Sequence, residues 1–190
     1  MSTAAGTSSL SGKASRTAAL PSIAVPPALV AVSAIAAATA ALIKFDLSGR
    51  AFVAAFYCGV LVVLAAIDLE RRIIPNRIVV PAALIVLLGD IAAEPHRATE
   101  WTVSAFAMLF GALIVSLSTR GGVGMGDVKL SFLLGAGLGW NVLGGVVVAM
   151  VATFVVALAI LARRGLGARR ETFPFGPLLV LGALVALFLS

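Results

Sequence analysis

Residues 51–67 read AFVAAFYCGVLVVLAAI, an uninterrupted apolar run that ends directly against Asp68. A strand of an outer-membrane barrel alternates polar and apolar residues, and this run does not, so a barrel is excluded. In hydrocarbon every backbone N–H and C=O must be bonded within its own segment, and a run of this length therefore reads as a membrane-spanning helix. Six further runs occur at about 25–43, 78–91, 101–118, 128–140, 142–162 and 175–189. With 61% hydrophobic and 12% charged residues and a mean hydropathy of +1.14, the solvent for most of this chain is lipid. The expected fold class is an all-α polytopic membrane protein with about seven transmembrane helices.

The run at 128–140 is the short one, because at 1.5 Å per residue it covers only about 20 Å of a core near 30 Å thick. Charge decides whether it crosses. If it does, every basic residue except Lys44, Arg50 and Arg97 falls on one side of the membrane. If residues 128–162 cross only once, the arginines at 163, 164, 169 and 170 change sides and the two sides become equal. The positive-inside rule therefore selects seven crossings with a cytoplasmic N-terminus. Residues 1–23, rich in Ser, Ala, Thr and Gly, read as a disordered cytoplasmic tail. Residues 24–50 read as an anchor helix with an outer linker, the first run being long enough to stay in the membrane rather than serve as a cleaved signal.

Several residue types narrow the chemistry. Cys58 is the single cysteine, which excludes an internal disulfide and a cysteine-based metal site. His96, the single histidine, lies in a charged linker, so no metal is expected. The net charge of +6 belongs to topology in a membrane protein, and no nucleic-acid partner is expected. Gly135 and Gly139 stand at the GxxxG spacing that lets helices pack closely.

Ionisable residues near membrane depth are costly and become functional candidates by default. Topology assigns Asp46, Asp90, Glu94 and Glu100 to the outer loops, and Asp68, Glu70, Asp127 and Glu171 to the cytoplasmic side. Asp68 stands where its helix reaches the interface, and Pro75 then ends helical structure at Ile74. On its own Asp68 reads equally well as a solvated residue at a helix end. Asp127 follows Gly124 and Gly126, which permit a bend and a close approach, and it opens the next run, where a plain N-cap is the alternative. A phosphate-cradling loop lacks its Gly-Lys-Ser/Thr. Glu70 is flanked by arginines and reads as a solvated charge. Lys129 can snorkel to the interface or meet a substrate's polar region. Pro174, Gly176 and Pro177 either expose backbone groups to an extended substrate or form an ordinary helix start.

Two motifs in order, Asp68 through Ile74, Pro75 and Asn76, then Gly124, Gly126 and Asp127, resemble those of the type IV prepilin peptidases, a family of GxGD intramembrane aspartic proteases. Val128, Lys129 and Leu130 after the second motif agree, as does the stretch Phe173, Pro174, Phe175, Gly176 and Pro177. The resemblance covers about residues 51–189 and implies that residues 51–190 form the peptidase domain. It implies a catalytic pair, Asp68 and Asp127, that shares one proton, with one carboxylate activating water and the other protonating the scissile carbonyl. Gly124, Gly126, Pro75, Asn76 and Lys129 would support the pair, and Pro174, Gly176 and Pro177 would bind substrate. It implies no cofactor, membrane lipid as surroundings, and removal of the short basic leader of prepilins or pseudopilins at the cytoplasmic face of the inner membrane. The short outer linker and single cysteine look more like the compact peptidases of Flp pilus systems than the larger members that also methylate. The alternative is a small transporter or scaffold in which Asp68 and Asp127 form an ion or proton site.

Overall fold

The computed structural model describes residues 25–119, 124–164 and 175–190, and among them all regular structure is helical. Seven α-helices follow one another: α1 (Pro27–Lys44), α2 (Gly49–Arg71), α3 (Asn76–Ala93), α4 (Ala98–Ser118), α5 (Met125–Leu138), α6 (Val142–Arg164) and α7 (Gly176–Leu189). Single 3-10 turns at Pro95–Arg97 and Gly139–Asn141 join α3 to α4 and α5 to α6. Pro27–Lys44, Gly49–Arg71, Asn76–Ala93, Pro95–Ser118 and Met125–Arg163 are long and apolar enough to cross a membrane, and α7 is a shorter apolar helix. The chain is an all-α, multi-pass membrane protein. The N-terminal tail, Arg120, Glu171, Pro174 and the arginines at 169 and 170 lie outside the described residues.

Local chemistry sets the breaks between helices. The Ser48 hydroxyl caps α2 by accepting from the Ala51 N–H, which satisfies one of the orphan donors of a helix start. At its other end Arg72 adopts the left-handed region, φ 53°. There its N–H closes onto the Asp68 carbonyl at 2.8 Å. Pro75, with φ −72°, then precedes the first residue of α3. The linker between α1 and α2 turns through two further left-handed residues, Asp46 and Leu47.

Contacts between helix ends define a bundle with two poles. At one pole Ile74 packs on Gly126, Asn76 meets Lys129, and the Val25 N–H reaches Glu70. At the other, Arg50 pairs with Glu94, Arg97 pairs with Glu94 and Glu100, and Lys44 donates to the Leu187 carbonyl. Helix α5 has only 14 residues, a length of about 21 Å. It nonetheless runs from pole to pole, because its first turn lies under Ile74 while the Trp140 N–H just beyond it bonds to Glu100.

Lipid is as apolar as a leucine side chain, so helices in a bilayer associate through close packing and hydrogen bonds rather than hydrophobic burial. The α4–α5 contact follows that rule. The Ser104 hydroxyl donates to the Gly135 carbonyl at 2.8 Å, and a Cβ on Gly135 would sit 2.5 Å from the Ser104 carbonyl oxygen. Gly139, φ 56°, lies against Glu100 and Trp101, so both glycines of the GxxxG pair serve α4. Cys58 is a buried core residue. Large apolar side chains such as Phe110, Leu117 and Phe154 cover the outside, as a lipid-facing surface requires.

Two acidic residues differ from the loop placement read in the sequence. Asp90 lies within α3 and is 3% exposed, while Glu100 lies in the first turn of α4. Glu100 stays helical with Arg97 paired to it and Arg50 and Arg97 stacked on Trp101, while Asp90 falls in the last turn of α3, which runs on to Ala93. Gly135→Val would force the α4 and α5 backbones apart, with an expected loss of about 1–3 kcal/mol from overpacking. A lowered midpoint in SDS-induced unfolding checks it.

Candidate active site

Asp68 occupies the last turn of α2 and is 8% exposed. Its carboxylate accepts a hydrogen bond from the backbone N–H of Gly176, the first residue of α7. The free N–H groups and positive dipole of a helix start suit an anion at this place. A side chain at position 176 would destroy the fit, since a Cβ there would lie 2.5 Å from Oδ2 of Asp68. Pro177 follows in the first turn of α7, where its missing N–H costs nothing.

Asp127 stands in the first turn of α5, half-buried. Its carboxylate accepts from the Gly124 backbone N–H, and the negative charge of Asp68 is near enough to act on it. The fold thus brings the two aspartates, 59 positions apart in the chain, to one pole, each held by a glycine amide. Like charges that act on one another resist simultaneous ionisation.

The remaining residues predicted from the sequence divide. Gly126 receives Ile74, with a Cβ-to-Cβ approach of 3.0 Å were position 126 to carry one. Asn76 and Lys129 meet through an Nζ to Oδ1 hydrogen bond of 2.8 Å, tying the start of α3 to the second turn of α5, and Pro75 sets up that start. Glu70 faces away from the pair and accepts from the Val25 N–H at 3.1 Å. Gly176 and Pro177 are at the site, Gly176 as a holder of Asp68, while Pro174 lies outside the described residues. Among the described residues no three His, Cys, Asp or Glu side chains converge as a metal site would need.

Sequence reading missed the amide of Gly176 as a partner of Asp68. The glycine-proline pair does mark a helix start and hence free N–H groups. Which carboxylate those groups meet is a matter of how α7 packs on α2.

The sequence profile of the type IV leader peptidase family matches residues 55–163. A prepilin leader peptidase/N-methyltransferase of Burkholderia pseudomallei (strain 1026b) is 35% identical over 166 residues, covering 84% of this chain and 53% of the relative. The protein of the same name from Bacillus subtilis (strain 168) is 32% identical over 154 residues, covering 77% and 59%. That from Dickeya chrysanthemi is 30% identical over 149 residues, covering 75% and 52%. The chain spans about half the length of these relatives. No solved structure matches.

A double-mutant cycle with Asn76→Ala and Lys129→Ala isolates the contact between α3 and α5. The expected coupling is about 0.5–1.5 kcal/mol in unfolding free energy, and additive single effects would contradict it.

Proposed function

The chain belongs to the type IV leader peptidase family, and from that membership we propose that it is a membrane aspartic endopeptidase that removes the leader from prepilins or pseudopilins. The observation carrying this reading is the pair of carboxylates, Asp68 and Asp127, that two distant motifs contribute to one pole of the bundle. Residues 51–190 would form the peptidase unit and residues 24–50 an anchor.

The chemistry follows from two carboxyls that share a proton. The ionised one removes a proton from a water as the water oxygen attacks the scissile carbonyl carbon. The protonated one gives its proton to the carbonyl oxygen, forming a neutral tetrahedral diol. Collapse of the diol breaks the C–N bond as a proton passes to the leaving amine. The Gly176 and Gly124 amides hold the two carboxylates in place without contributing a proton. No metal or cofactor enters this sequence of steps.

The distribution of basic residues supports a cytoplasmic N-terminus in the inner membrane, seven crossings, and a site at the cytoplasmic face. A prepilin then presents its leader to the aspartates while its own apolar helix stays in the bilayer. The short linker between α1 and α2 and the single cysteine favour an Flp-type prepilin and no methyl transfer.

Co-expression with a prepilin from the same genome, followed by gel mobility, tests the proposal. Asp68→Asn and Asp127→Asn, at unchanged membrane levels, are each expected to lower cleavage about 10²–10⁴-fold, the usual worth of an acid–base group. Cleavage that persists in either variant removes the pair, and an ion-gradient-dependent transport activity lost in both would support the transporter instead. Gly176→Ala displaces Asp68 and is expected to cost about 10²-fold, the scale of a 1 Å misplacement. Glu70→Gln is expected to stay within about twofold of the parent, since surface charges away from such sites contribute little.

A further inference from the structure

Helices α3 and α4 both pack on α5 and touch each other little, which leaves a groove of about 190 Å³ open to the outside of the bundle. Val80 and Leu84 of α3, Phe106 and Leu109 of α4 and Phe132 of α5 line it, and Lys129 is the charged residue among its walls. Phe106 and Phe132 meet edge to face at 5.4 Å along one wall. Val80, Leu84 and Phe106 are each more than two-fifths exposed, so in a bilayer the groove faces lipid. Lys129 follows Asp127 by two residues, about 200° around the helix, so the groove and the aspartates flank opposite sides of the same turns of α5.

The chemistry of the groove is that of an apolar tail with an anionic head. An ammonium has three donors, and Asn76 Oδ1 takes one of them. Two remain, at the start of α3 where Asn76 is exposed. The walls formed by Val80, Leu84, Phe106 and Phe132 are apolar and suit an acyl chain, and a cation at the end of such a groove between helices suits an anionic headgroup.

We propose that this groove binds one anionic phospholipid, whose phosphate accepts from Lys129 and Asn76 and whose acyl chain lies along Leu84, Phe106 and Phe132. The lipid would brace the second turn of α5 from the side opposite Asp127. This inference does not depend on the peptidase reading, because its test measures binding.

The full chain purified in detergent is examined by native mass spectrometry with palmitoyl-oleoyl phosphatidylglycerol and with the matching phosphatidylcholine. The expected result is one retained phosphatidylglycerol, held about fivefold more strongly than phosphatidylcholine, the scale of a single cation at an anionic headgroup. Lys129→Gln is expected to erase the preference, Lys129→Arg to keep it, and Arg163→Gln, a charge removed from the exposed end of α6, to leave it unchanged. Leu84→Trp fills the groove and is expected to lose the retained lipid of either kind. Equal retention of both lipids by the parent, no retained lipid, or an unchanged preference in Lys129→Gln overturns the proposal. So does a Leu84→Trp protein that keeps its phosphatidylglycerol, because the retained lipid would then lie outside the groove.

Discussion

A carboxylate at the margin of a hydrocarbon layer needs something in place of the water it has lost, and in this molecule the amide of Gly176 supplies it to Asp68. The contact constrains far more than one side chain. It requires α7 to start where α2 ends, it forbids a side chain at position 176, and it turns the positive end of the α7 dipole toward the site. With α7 fixed against α2, a place for a second carboxylate remains at the start of α5. There Asp127 is held in turn by the Gly124 amide. Gly176 and Gly124 thus act through their backbones, one as donor to each acid.

The opposite pole explains how so short a helix as α5 keeps its place. Arg50, Glu94, Arg97 and Glu100 form a linked set of ion pairs. Both arginines stack on the Trp101 ring, which lies buried. Glu100 continues the chain of contacts to the Trp140 N–H, just past the left-handed Gly139 that ends α5. Ion pairs of this kind are worth little when fully solvated, but partial burial and mutual linkage make a network that holds its geometry. The α4–α5 packing through Ser104 and Gly135 carries that order along the helix toward Asp127. A rigid short helix anchored at one pole can therefore present an acid at the other.

Much of this was legible in the chain. The seven apolar runs became seven helices within a few residues of their expected bounds, and the GxxxG pair Gly135 and Gly139 packs as such pairs do. The cost of a charge beside an apolar run marks Asp68 and Asp127 as candidates, and the resemblance to the leader peptidases makes them a pair. Less legible were Asp90 and Glu100, which read as loop residues and are helical. Glu100 pairs with Arg97 three residues before it, while Arg50 reaches Glu94 from the start of α2, which no local pattern ties to that end of α3.

Glu70 shows the same boundary from the other side. Two residues from Asp68 and identical to it in charge, it turns toward α1 and the Val25 amide, because neighbours two apart on a helix point to opposite sides. What the sequence determined alone was the number, order and approximate length of the helices, since lipid obliges each segment to satisfy its own backbone and that demand is local. What only the tertiary structure decided was the partners: Gly176 for Asp68, Lys129 for Asn76, Ile74 for Gly126. Those contacts join residues many tens of positions apart, and they are set by how the helix faces pack, which no single segment encodes.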